Sequence, residues 1–183
     1  NAVADVLLAA PEPRAVILVG ASEPCARFIR LARRAGLDAL FLSVSFVGAT
    51  ALAEELGPRG NGVVVTQVVP HPEASDLPLV REYREDLRAA YGAKEPSFVS
   101  LEGYIAARIL LLALDHAHAA PSREGLIDAL HRLGRFDLGL GAPLHIDADR
   151  HQASHRVWPT VLRDGGVRPF TWTEVARMLG EGG

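Results

Sequence analysis

The feature that most constrains this chain is an alternation of short apolar runs with helix-periodic stretches. Residues 15–19 form a continuous β-branched run that ends at Gly20, the mark of a strand buried on both faces. A helix follows directly: Ser22 or Glu23 is placed to cap it, and Pro24 suits its first turn. Phe28, Ile29, Leu31, Ala32 and Ala35 supply its apolar stripe, and Gly36 stands where a left-handed terminus is wanted. The unit then recurs as a strand over 39–42, a loop over 43–48, a helix over 49–56, a Gly57-Pro58 break and a strand over 63–69. Strands separated by helices of about ten residues pair in parallel, and open parallel sheets bind ligands at the carboxyl ends of their strands. Three such edges are predicted, at 20–24, 43–48 and 66–72.

The flanking segments read differently. Val3, Val6, Leu7 and Ala10 recur at helical spacing until Pro11 and Pro13 stop the helix. Pro78 starts a helix with Tyr83, Leu87 and Tyr91 in one row and Gly92 after its end. Residues 98–119 are apolar nearly all round, which predicts a helix covered on most sides. Ser122 caps another, carrying Leu126, Ile127, Leu130 and Leu133 and closing at Gly134. A short β region follows, with strands over 144–146, 156–162 and 167–170 and a tight turn over 164–166. Pro159 places its strand at an edge or a bulge. A last helix over 173–179 ends in a glycine-rich tail expected to fray.

Composition narrows the function. The 183 residues are 49% hydrophobic, enough for a packed core. With 19 basic against 22 acidic residues there is no basic field for nucleic acid or an anionic membrane. The longest apolar run, 105–114, is broken by Arg108 and falls short of the roughly 20 residues that cross a bilayer, so no membrane insertion is expected of this segment. The single cysteine, Cys25, cannot form an internal disulfide, and no thiolate zinc pattern is present. The first residues already read as the middle of a fold and carry no signal-peptide pattern, so such a leader is expected to have been removed or to lie upstream.

Candidate chemistry is sparse. His145, Asp147, Asp149, His151 and His155 have the side chains of a transition-metal site, yet Asp147-Ala148-Asp149-Arg150 reads as a solvated turn, so no metal is assigned. The 20–24 loop lacks the glycines of a dinucleotide loop and the lysine of a phosphate loop, and Glu23 would repel an anion. It is read as an ordinary connection or as a loop touching a neutral or zwitterionic ligand. Cys25 reads as a packed small residue, with a thiol activated by the helix N-terminus as the sharper alternative. Glu102, near the start of an apolar helix, is read either as a carboxylate favoured by the helix dipole or as a cleft-facing ligand contact. No serine sits in a nucleophile elbow, and no cofactor is predicted.

Taken together, "VGASEPCARFIRLARRAG", "LFLSVSFVGATALAEELG", "GVVVTQVVPHP", "PLVREYREDL" and "SFVSLEGYIAARILLLAL" resemble, in the same order, the branched-chain amino-acid-binding family of type I periplasmic binding proteins. The resemblance runs from about residue 2 to 170. It implies an α/β fold of Rossmann-like parallel sheets with flanking helices, split over two lobes that close on a small ligand. Residues 1–69 correspond to βαβ units of the second lobe, 70–138 to a helical return completing the first lobe, and 139–183 to a crossing back with a short β region and a C-terminal helix. The opening half of the first lobe, whose Ser and Thr loops hold the ligand carboxylate in that family, has no counterpart in these residues.

What the resemblance implies for function is an extracytoplasmic or periplasmic, non-catalytic solute receptor that delivers a small amino-acid-like or carboxylate ligand to an ABC transporter permease. The alternatives are the ligand-sensing domain of a membrane receptor and, further off, an α/β metal-dependent or nucleotide-binding enzyme. The ligand contacts it implies are Ala21, Ser22, Glu23, Ser43, Ser45, Phe46, Gly48, Phe98, Ser100 and Glu102. In the family the loop matching 43–48 brings a carboxylate to the ligand's amino group. Here Phe46 and its neighbours stand in that place, and Glu23 is the available substitute.

Overall fold

The computed structural model describes residues 2–8, 13–116 and 122–179. The helix stop at Pro11, the last helical residues expected over 117–119 and the tail from 180 lie outside them. In chain order the elements are α1 (Ala2–Leu7), β1 (Ala15–Leu18), α2 (Ser22–Arg34), β2 (Leu40–Val44), α3 (Ala49–Leu56), β3 (Val64–Gln67), α4 (Pro78–Tyr91) and α5 (Phe98–Asp115). There follow α6 (Arg123–Arg132), β4 (Gly134–Phe136), β5 (Leu144–Ile146), β6 (Trp158–Arg163), β7 (Gly166–Pro169) and α7 (Trp172–Met178). These residues form two compact units, Asn1–Val68 with Val157–Gly183, and Val69–Arg156.

The first unit is built on a five-stranded sheet of order β1-β2-β3-β6-β7. β1, β2 and β3 run parallel, and β6 and β7 are added antiparallel. Cys25, Ala26, Ile29 and Ala32 of α2 and Leu52, Ala53 and Leu56 of α3 pack on the sheet face carrying Phe41, Val63, Val65 and Leu162. The opposite face presents Leu40 and Val64 to Val175 of α7. Successive residues 63, 64 and 65 thus point into two cores in turn, which is why this segment is apolar without a break.

The same expectation fails for the first strand. β1 is the outermost strand, α7 covers the second face at Leu40 and Val64, and Ile17 is left 71% exposed. The cap of α2 also differs, because the chain turns into the helix at Ala21 with extended angles and no side-chain cap, leaving Ser22 and Glu23 in the first turn. Pro159 is not on an edge strand: β6 lies between β3 and β7, where the proline carbonyl accepts a bond from Phe170 N at 3.1 Å. The β6–β7 turn places Asp164 at φ 53 and Gly165 at φ 72, the two positive angles that a two-residue hairpin of the right twist requires.

In the second unit α4 buries Leu79, Val80 and Tyr83, with Leu101 of α5 and Val69 completing one cluster. Leu79, Leu140 and Leu144 form another, against Ile105, Ile109 and Phe136. Gly134, expected to close a helix, opens β4, which pairs antiparallel with β5. The expectation that α5 is covered on most sides is overturned. Only Leu101 and Ala113 are buried among its residues, because α4 and the elements around Leu144 pack along one side and none of the described residues forms a layer on the other.

Candidate functional site

Because β1, β2 and β3 are parallel and in register through Leu18↔Ser43 and Val44↔Thr66, their carboxyl ends lie along one sheet edge. Neighbouring strands in a sheet are about 4.8 Å apart, so the segments leaving β1 and β2 are adjacent. This edge gathers Ala21, Ser22 and Glu23 at the start of α2 with Ser45, Phe46 and Gly48 after β2. Gly48 has φ 73 and serves two elements, donating its N–H to Ser45 O at 3.0 Å to close a 3-10 turn and accepting Leu52 N at 2.9 Å to open α3. That double duty holds the turn tight and leaves Phe46 projecting, 77% exposed. Val19 is 75% exposed just beyond β1, and Val68 is exposed just beyond β3. Three apolar side chains on one solvent-facing edge, with the carboxylate of Glu23 also exposed, make a surface suited to an apolar body carrying a cationic group. Neither Val19 nor Val68 was named as a contact from the sequence: Val19 reads there as the last residue of a buried strand, and Val68 falls inside the strand over 63–69 and the edge over 66–72.

Ser43 takes a different role from its neighbours. The expected loop over 43–48 begins later, since Ser43 belongs to β2 and is 1% exposed. Its hydroxyl donates to Leu18 O at 2.9 Å, and its own carbonyl accepts from Thr66 Oγ1 at 3.4 Å. Ser43 thus ties the three parallel strand ends together, through its hydroxyl to β1 and its carbonyl to β3, and sets the positions of the loops that follow.

Phe98, Ser100 and Glu102 fall in the second unit, on the first turns of α5. Phe98 meets the His71 ring edge-on at 5.3 Å and packs with the cluster around Tyr83. Ser100 forms a reciprocal capping box with Ser97, and its Oγ lies 2.6 Å from Tyr83 Oη, which also accepts Ser97 N at 3.1 Å. Ser100 therefore fixes the start of α5. Glu102 is exposed. Nearby, Tyr104 donates to Asp86 Oδ2 at 2.6 Å, and burial together with that bond to a carboxylate pushes its hydroxyl up to about 12.

The remaining sequence candidates resolve simply. His145 Nε2 lies 2.8 Å from Asp147 Oδ2 while Arg150 is 3.1 Å from its Nδ1, and Asp147 Oδ1 accepts Asp149 N in a local turn. His151 stacks on His131 at 5.3 Å. Among the described residues no three His, Cys, Asp or Glu side chains converge as metal ligands do. The reactive-thiol reading of Cys25 is corrected: the side chain is buried against the sheet, and burial pushes the thiol upward from its ordinary value, away from a nucleophilic thiolate. No helix among the described residues is long and apolar enough to cross a membrane.

The periplasmic binding protein family model matches residues 4–166. The chain belongs to that family. Among solved structures, a possible leucine/isoleucine/valine-binding protein from Rhodopirellula baltica SH 1 is 49% identical with a TM-score of 0.88, over 94% of this chain and 46% of that one. A substrate-binding periplasmic protein from Ralstonia solanacearum is 34% identical with a TM-score of 0.73, over 92% of this chain and 48% of the other. A leucine-binding protein from Thermotoga maritima is 25% identical with a TM-score of 0.70, over 86% and 44%. No curated protein matches. This periplasmic binding protein chain thus spans less than half the length of each of these relatives, and its fold is the parallel-rich α/β arrangement of a type I fragment. The family is one of non-catalytic solute-binding proteins that work outside the cytoplasm.

Proposed function

We propose that the protein to which this chain belongs is a periplasmic solute receptor that takes up a small amino acid with an apolar side chain and presents it to an ABC transporter permease. The observation that carries this reading is the strand-end edge of the first unit, where Val19, Phe46 and Val68 are exposed beside the free carboxylate of Glu23. Apolar side chains left in water at the carboxyl ends of parallel strands are in the position where such sheets hold ligands. The relatives named for leucine or leucine/isoleucine/valine binding point to the same ligand chemistry. In this reading Ala21, Ser22, Glu23, Ser45, Phe46 and Gly48 line the ligand, with Glu23 meeting the ammonium and Phe46 the aliphatic chain. Phe98 and Glu102 lie in the second unit and are considered apart from this edge, while Ser43 and Ser100 act by holding backbone in place. No bond is made or broken, and the work is done by burial of the ligand and by closure around it.

A sensory role for the same binding step has one observation in its favour, the 28% identity to an extracellular ligand-binding receptor from Verminephrobacter eiseniae. The gene downstream separates the two, since a sensor requires a membrane helix and a signalling domain. The binding step itself is tested by a thermal-shift screen of amino acids and small carboxylates on the full-length protein. At a concentration 100 times Kd a ligand specific for the folded state stabilises it by about 2.7 kcal/mol. Melting raised by aliphatic amino acids supports the proposal, and a panel without any shift removes it.

A further inference from the structure

The edge of the first unit opposite the carboxyl ends of its parallel strands carries a cavity of about 350 Å³. It lies where the chain enters those strands: Arg14 precedes β1, Asp38 and Leu40 lead into β2, and Asn61 precedes β3. Strands of four or five residues, at about 3.3 Å each, put roughly 15 Å between the two edges. Arg33, in the last turn of α2, closes one side, and Leu40 with Met178 of α7 supplies an apolar wall. Arg33 is held from three directions. Its Nη1 donates to Arg59 O, its Nη2 donates to Asn61 O at 3.1 Å, and its guanidinium lies over the Phe41 ring, 5.4 Å from the centroid. Carbonyls occupy some of its N–H donors and neutralise none of its charge. Among the described residues neither Arg33 nor Arg14 has a carboxylate within 4.0 Å, although Asp38 lines the same cavity. Burial holds the Arg33 guanidinium below its ordinary value. Asn61 adds a donor, because its Oδ1 accepts Asp164 N at 2.8 Å and its amide NH2 is left for another partner. An arginine in a last helical turn also complements the helix dipole, but that account does not reach Arg14, which stands outside any helix.

We propose that this cavity is a second ligand site, separate from the strand-end edge, and that it takes a small monocarboxylate with a short apolar body. The guanidinium groups of Arg14 and Arg33 against the carboxylate of Asp38 leave a single positive charge, which suits a monoanion better than phosphate or a dicarboxylate. The ligand carboxylate accepts from Arg33, Arg14 and the Asn61 amide, since a planar guanidinium fork matches a planar carboxylate. Leu40 and Met178 cover the hydrocarbon. The volume of about 350 Å³ is at the low end of the roughly 300–1,000 Å³ usual for ligand cavities, which limits that body to a few carbon atoms. The site shares no residue with the strand-end edge, so it stands whether or not that edge binds an amino acid.

The test is a titration of the full-length protein with sodium hexanoate, followed by backbone amide chemical shifts, with and without saturating leucine. Shifts centred on Leu40, Asn61 and Gly62 are expected, with the same saturation curve in both conditions and no counterpart for hexan-1-ol, which lacks the charge. Arg14→Gln is expected to weaken hexanoate about fivefold, the scale of an exposed charge pair. The fold uses the Arg14 carbonyl, which accepts Leu40 N at 2.9 Å, and the substitution leaves that bond in place. Asp38→Asn is expected to tighten binding about two- to threefold, because it removes a like charge from the cavity. Shifts absent from these amides, equal shifts with hexan-1-ol, or an affinity that neither substitution moves would overturn the proposal. Displacement of hexanoate by leucine would assign it to the strand-end edge, and phosphate binding as tightly as hexanoate would assign the cavity to inorganic anions; either result overturns it equally.

Discussion

Phe46→Ala separates a ligand-binding role from a structural one. The ring is 77% exposed, so its removal leaves a small debt in the fold, and surface substitutions of this kind stay within about 0.5 kcal/mol. A bound aliphatic ligand would cover part of the ring. An aromatic side chain can bury roughly 150–250 Å², and covering about a third of that, ~60 Å² at ~25 cal/mol per Å², contributes ~1.5 kcal/mol. The expected outcome is a Kd raised about tenfold by isothermal titration with leucine on the full-length protein, with the urea midpoint unchanged. Leu52→Ala is the contrasting case. This side chain is 0% exposed beneath α3, and its truncation costs about 2–5 kcal/mol of stability. If Phe46→Ala binds leucine as tightly as the parent, or weakens binding only in proportion to a fall in stability, the reasoning about the strand-end edge is refuted.

Other consequences follow from the same geometry. Glu23→Ala is expected to weaken amino-acid binding about tenfold or more, since a charge-assisted bond contributes roughly 1.5–3 kcal/mol, while leaving affinity for the corresponding deaminated acid unchanged; titration with both ligands checks it. Ser43→Ala removes the bond to Leu18 O and should cost about 1 kcal/mol in chemical denaturation. Glu174 closes a capping box with Thr171 at the start of α7, and the hydrogen bonds from Thr171 hold its carboxyl below the usual value. Because the folded value is depressed, the stabilisation is complete above the unfolded-state value and is lost as pH falls through the folded one. Glu174→Gln should remove that part of the acid dependence, measured as hydrogen exchange in α7 between neutral and acidic pH.

The alternation of apolar runs and helical stretches determined a great deal without any coordinates. It placed α3 over residues 49–56, the parallel order of β1, β2 and β3 and the tight turn after β6, because period and turn chemistry are local properties of the chain. Ser122 was legible as a cap for the same reason. The motif blocks added the family, which no period or composition conveys.

Position within layers was not legible, because it depends on which elements end up beside one another. An apolar run reads alike whether its strand is central or outermost, so Ile17 and Val19 looked buried and Ser43 looked like loop. A serine looks alike whether its hydroxyl faces water or, as with Ser43 and Ser100, is spent on a neighbouring carbonyl or a tyrosine from another helix. The all-round apolar character of α5 was correct as composition, yet only the packing of α4 and the elements around Leu144 on one side showed that its other side, with Gly103 at the centre, is left exposed among the described residues. Burial is a relation between segments distant in sequence, and the chain's local pattern states only that it is wanted.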